Sequence, residues 1–123
     1  MLTYLIVDDE PFIREDLAYE LKRILPEDSR LLMAGNAAEA LAIAEKESVY
    51  VAFLDVDMPG MNGLELAKIL TEKKLVRNFL FVTGYPDYSL DAWGTQASGF
   101  VVKPAQRQKL EAIYRGLVEA GGG

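Results

Sequence analysis

Tyr50-Val51-Ala52-Phe53-Leu54 is an apolar run without a polar break, and Asp55-Val56-Asp57-Met58-Pro59-Gly60 follows it at once. A strand that is apolar at every position is covered on both faces, as interior strands of parallel sheets are. Parallel strands need crossovers, so helical segments should flank this one. Upstream, Leu2 to Val7 reads as a strand running into Asp8-Asp9-Glu10. Pro11 to Leu25 reads as a helix, with Phe12, Ile13, Leu17, Leu21, Ile24 and Leu25 at spacings of three and four, Pro11 in the first turn and Pro26 past the end. Arg30 to Ala34 is a second strand closed by Gly35-Asn36, and Ala37 to Glu47 a helix with Leu41 and Ala44 inward. Downstream, Leu64 to Lys73 is helical, Phe79 to Val82 is a strand ending at Thr83-Gly84, and Ser89 to Thr95 is a short helix. Phe100 to Val102 is the fifth strand, and Gln106 to Glu119 the last helix, with Leu110, Ile113, Tyr114 and Leu117 inward. Strict alternation predicts an α/β fold, a doubly wound parallel five-stranded sheet with helices on both faces. Residues 1–120 form one domain, and Gly121-Gly122-Gly123 reads as a disordered tail or linker stub.

Composition narrows the chemistry. At 123 residues, half of them hydrophobic, the chain can bury a core without staples. It has no cysteine and no histidine, which excludes disulfides, thiol nucleophiles, imidazole bases and thiolate or imidazole metal ligands. A net charge of −6 matches a nucleic-acid backbone poorly, so no direct nucleic-acid contact is expected. The apolar runs fall far short of the ~20 residues that span a bilayer, and Met1 to Val7 lacks a basic flank; no membrane association is expected, and a cytoplasmic location follows by default.

In open α/β sheets, ligands sit beyond the carboxyl ends of the strands. Those ends carry Asp8-Asp9 after the first strand, Asp55 after the third, Thr83 after the fourth and Lys103 after the fifth. Asp8, Asp9 and Asp55 sum to −3 and Lys103 returns one charge, so a divalent cation would bring the set to zero. Oxygen ligands alone select a hard ion, and Mg²⁺ is the expected cofactor. Mg²⁺ with a lysine alongside is a recurrent grip on a phosphoryl group, with the metal, Lys103 and the Thr83 hydroxyl each taking an oxygen. The nucleophile must then be a carboxylate, and Asp55 is the best placed. Taken singly, each element has a plain reading: a polar turn, a helix cap, an acidic loop. Four complementary groups at four strand ends point to a phosphoryl site instead.

At these residues the sequence resembles the receiver domain of two-component response regulators, across essentially its whole length. The resemblance is carried by Leu5-Ile6-Val7-Asp8-Asp9-Glu10, by Phe53-Leu54-Asp55 through Met61-Asn62-Gly63, by Val82-Thr83-Gly84-Tyr85 and by Gly99-Phe100-Val101-Val102-Lys103-Pro104. It implies a (βα)₅ flavodoxin-like fold with strand order 2-1-3-4-5. It further implies that Asp55 accepts a phosphoryl group from a sensor histidine kinase or phosphotransfer protein. Asp9 and Asp55 would ligate Mg²⁺ directly, Asp8 mostly through water, and Asp57 by its backbone carbonyl. Thr83 and Lys103 would hold the phosphoryl oxygens, Phe100 would be the aromatic that swings as Thr83 moves, and Lys103-Pro104 would be a cis peptide. Thr83 through Trp93 looks like the receivers attached to LytTR DNA-binding domains, which implies transcription control through an output domain absent from this chain. A homodimer through the fourth helix, fifth strand and fifth helix is a further expectation, near the aromatics Tyr85, Tyr88, Trp93 and Phe100. Gly84 departs from the family's usual alanine, Ala105 from a larger apolar residue, and Asp57 from a commonly neutral position, where its charge is expected to alter acyl-phosphate hydrolysis.

Two alternatives compete. Asp55-Val56-Asp57 also resembles the opening motif of haloacid-dehalogenase-type phosphatases, with Thr83 and Lys103 as later motifs. That family places its acidic pair after the lysine, where only Glu111 and Glu119 occur here, and the chain has no room for a cap. The other alternative is a receiver-fold interaction module without phosphorylation, which the intact Asp, Asp, Asp, Thr and Lys set argues against. Enzymatic turnover of a separate substrate is not expected, only self-phosphorylation and autodephosphorylation.

Overall fold

The computed structural model describes residues 1–84 and 99–119. Five strands, β1 (Thr3–Val7), β2 (Arg30–Ala34), β3 (Val49–Leu54), β4 (Val76–Thr83) and β5 (Gly99–Val102), form one sheet in the order β2-β1-β3-β4-β5, all pairs parallel. The helices are α1 (Pro11–Lys22), α2 (Ala37–Lys46), α3 (Gly63–Glu72) and α4 (Arg107–Glu119). The helix expected at Ser89–Thr95 lies outside the described residues, as does the glycine tail.

The period of two along each strand builds two cores. Leu5 and Val7 of β1, Ala52 and Leu54 of β3, and Phe79 and Phe81 of β4 face α2 and α3, meeting Ala40, Ala44, Leu66 and Leu70. Tyr4 and Ile6, Val51 and Phe53, and Leu80 and Val82 face the opposite side, against Leu17 and Leu21 of α1 and Leu110 and Leu117 of α4. The uninterrupted apolar run of β3 is thus divided between the two layers, Ala52 and Leu54 on one side and Tyr50, Val51 and Phe53 on the other.

Local signals explain the helix starts. Asn36 accepts from Glu39 N–H at 2.9 Å at the head of α2, and Asn62 forms a capping box with Glu65 at the head of α3. Beyond one-residue shifts at other element ends, three boundaries or orientations differ from the sequence reading. Phe12 is 85% exposed, because five residues separate it from Leu17 and a five-residue step leaves the buried stripe. The helix α1 stops at Lys22, and Ile24 and Leu25 turn their amides onto the Leu21 carbonyl ahead of Pro26, so Leu25 is buried from a tightened turn. β4 begins three residues before Phe79, at Val76. Its buried Asn78 is accommodated by a side-chain bond, Nδ2 donating to the Tyr50 carbonyl at 3.1 Å.

Candidate functional site

Chain order reverses where β1 sits between β2 and β3, so a crevice opens at the carboxyl ends of β1 and β3. Backbone bonds align the residues just past the strands. Asp8 N–H donates to the Ala34 carbonyl at 3.2 Å, Asp55 N–H to the Val7 carbonyl at 2.9 Å and Lys103 N–H to the Thr83 carbonyl at 2.7 Å. Asp8, Asp55 and Lys103 are thereby held at one level beside Thr83, the wholly buried last residue of β4.

Their side chains meet. Lys103 Nζ lies 2.8 Å from Asp8 Oδ2 and 3.4 Å from Asp55 Oδ2, with the two carboxylates only 3% and 4% exposed. Asp55 Oδ1 accepts from the Asp57 amide at 3.2 Å, and Asp8 Oδ1 from the Glu10 amide at 2.9 Å. Burial, then the neighbouring Asp8 charge, pushes the Asp55 carboxyl up to about 6, against the opposing pull of Lys103. For Lys103, burial pulls the pKa down, but its bond to Asp8 and the Asp55 charge outweigh it, so the ammonium stays protonated.

Carboxylate oxygens of Asp8, Asp9 and Glu10 lie within 4.8 Å of one another. Glu10 occupies the N-cap position of α1 without a side-chain capping bond, so its carboxylate is not committed to the helix end. An all-oxygen donor set, a buried Asp8–Asp55 pair with one ammonium between them, and an Asp55 pushed upward by that company together fit a hard divalent cation.

Asp9 is half-buried beside this set, and the exposed Asp57 reaches it through its amide. The Lys103–Pro104 peptide bond is cis. Phe100 pairs in register with Phe81, and its side chain lies outside the described residues. Two residues that sequence reasoning did not assign also belong here. Glu10 completes the carboxylate cluster, which its place next to Asp9 could have suggested. Arg14 donates from Nη1 to the Asp8 carbonyl oxygen at 2.7 Å, a contact for which the sequence carries no signal. No helix among the described residues is long and apolar enough to cross a membrane.

Comparison with known proteins gives one answer. The response regulator receiver domain family matches residues 4–115. The sensory transduction protein LytT of Bacillus subtilis is 35% identical over 94% of this chain and 47% of its own length. The positive alginate biosynthesis regulatory protein of Pseudomonas aeruginosa is 34% identical over 93% of this chain and 46% of its own. The chain spans about half the length of the curated relatives it matches. Among solved structures, the response regulator TrrA of Thermotoga maritima, in complex with Mg²⁺-BeF, is 35% identical with a TM-score of 0.78, covering 95% of this chain and 99% of that one. The chemotaxis protein CheY4 of Vibrio cholerae is 28% identical with a TM-score of 0.81, covering 94% and 97%.

Proposed function

The chain belongs to the response regulator receiver domain family of two-component systems, and from that premise we propose that Asp55 is the acceptor of a phosphoryl group delivered by a sensor histidine kinase or phosphotransfer protein. The observation that carries this reading is the Lys103 ammonium shared between two buried carboxylates, Asp8 and Asp55. Asp8, Asp9 and Asp55, with the Asp57 carbonyl, are the proposed holders of Mg²⁺, and Glu10 stands close enough to join through water. When bound, the ion neutralises the acidic cluster and polarises the phosphoryl oxygens. The complex of TrrA with Mg²⁺-BeF supports the choice of ion.

In the transfer, an Asp55 oxygen attacks the phosphorus of the partner's phosphohistidine. The O–P bond forms as the P–N bond breaks, and the imidazole nitrogen keeps the electron pair. Lys103 then exchanges carboxylate contacts for a phosphoryl oxygen, and the Thr83 hydroxyl turns toward another. The added charge biases the surface beyond β4 and β5, with Phe100 as the switch aromatic. Residues 1–120 act as the receiver unit, with hydrolysis of its own acyl phosphate as the sole chemistry on water. Transcription control would belong to the rest of a longer protein, in line with the length and names of the relatives. A homodimer through the segment between β4 and β5, β5 and α4 is part of the same reading, as is a cytoplasmic setting. Family membership favours this switch over the haloacid-dehalogenase-type phosphatase. The experiment is incubation with acetyl phosphate and Mg²⁺ followed by intact-mass measurement. One added phosphoryl that Asp55→Asn abolishes supports the reading, and no addition, or addition that survives the substitution, overturns it.

A further inference from the structure

Every polar atom of Asp8 has a partner. Its amide donates to the Ala34 carbonyl, Oδ1 accepts from the Glu10 amide, and Oδ2 accepts from Lys103. The fourth atom, the main-chain carbonyl oxygen, accepts from Arg14 Nη1 at 2.7 Å. The Arg14 amide makes the ordinary first helical bond of α1, to the Glu10 carbonyl at 3.0 Å, so it is the side chain alone that reaches back to Asp8. A half-buried guanidinium within six residues of Asp8, Asp9 and Glu10 in the chain could pair with one of them. Among the described residues Arg14 forms no ion pair, and its side-chain bond goes to a main-chain carbonyl. The end of β2 makes room for it: a Cβ at Gly35 would lie 3.1 Å from Arg14 Nη1 and 3.3 Å from Glu39 Oε1, closer than nine in ten real Cβ contacts.

We infer that Arg14 is a positioning residue of the cation site, and that Gly35 provides the space it occupies. By fixing the Asp8 carbonyl from the first turn of α1, the Arg14 side chain sets the direction in which the backbone leaves β1. That direction brings the Asp8, Asp9 and Glu10 oxygens within 4.8 Å of one another. The inference rests on the proposed cation-binding role of this cluster. Groups that orient metal ligands without touching the metal change affinity by about 10- to 100-fold when removed.

Charge and anchoring predict opposite signs. Deleting a cation beside a cation site should tighten Mg²⁺ binding if charge alone mattered, whereas deleting an anchor should weaken it. The test is Mg²⁺ affinity by titration calorimetry on the whole chain, with thermal unfolding in EDTA as a folding control. Arg14→Ala should weaken binding about tenfold, Arg14→Lys should restore most of it through a single donor, and Gly35→Ala should weaken it in the same direction. Tighter binding by Arg14→Ala, or a lower Tm in EDTA with unchanged affinity, overturns the inference. Absence of Mg²⁺ binding by the unmodified chain overturns the underlying cation reading instead. Binding lost in Asp9→Asn but unaltered in Arg14→Ala leaves that reading intact and sinks the inference alone.

Discussion

A methyl carbon placed on Gly63 would stand 2.0 Å from the carbonyl oxygen of Asp55. The α3 helix therefore begins in direct backbone contact with the proposed phosphoacceptor, a contact reinforced by the Gly63 amide donating to the Val56 carbonyl at 3.0 Å. Backbone cannot give way as a flexible side chain can, so Gly63→Ala must push the Asp55 loop off α3. The expected cost is at least the ~1–3 kcal/mol typical of overpacking, seen as a lower Tm together with weaker Mg²⁺ binding. An unchanged Tm would mean that the loop and helix are not held this tightly.

Asp55 titrates at about 6 in the folded, cation-free chain, against an ordinary 3.8. The folded state thus holds this proton more tightly than the unfolded chain. The stability so gained is fully present below pH 3.8 and is lost as pH rises through about 6. Asp55→Asn removes the charge, so in EDTA near neutral pH the variant should be more stable than the parent by about 3 kcal/mol. Denaturant titrations at several pH values check this: the advantage should shrink toward pH 4, and a pH-independent difference would contradict it.

Divalent cation should remove the same penalty. Saturating Mg²⁺ at a hundredfold excess over its dissociation constant stabilises a one-site protein by about 2.7 kcal/mol. A rise in Tm on adding Mg²⁺ is expected for the parent chain and should be lost in Asp9→Asn. Equal shifts in both would place the ion elsewhere.

A second titration sits far from this site. The Tyr4 hydroxyl is buried and shares a 3.0 Å hydrogen bond with the Tyr114 hydroxyl, joining β1 to α4. Burial first, and then that bond, push the Tyr4 hydroxyl well above its ordinary 10. The stability it contributes is full below pH 10 and falls as pH climbs toward the folded value. Tyr4→Phe should flatten the alkaline limb of the stability curve above pH 10, and an unaltered limb would assign alkaline unfolding to other groups.

Most of the fold was legible because the signals were periodic. The apolar run at Tyr50–Leu54 demanded two covered faces, and the acids, Thr83 and Lys103 marked where strands stop. What escaped depends on geometry that one dimension does not encode. Phe12 looked like part of the α1 stripe, but its five-position step to Leu17 turns it to solvent. Asn78 hid the first turn of β4 because its burial is made tolerable by a carbonyl 28 residues away. Asp8, Asp55, Thr83 and Lys103 could be named from strand ends alone. Arg14 could not, since its guanidinium meets a carbonyl only after the β1–α1 loop has folded back.

The central claim is that a cation-neutralised acidic cluster turns Asp55 into a reversible phosphoryl acceptor. The initial rate of phosphoryl incorporation from acetyl phosphate, followed by intact mass across a Mg²⁺ titration, tests it most directly. The predicted result is a rate that saturates with Mg²⁺, falls to baseline in EDTA and is lost in Asp55→Asn. Incorporation at the same rate in EDTA as in saturating Mg²⁺ would contradict it.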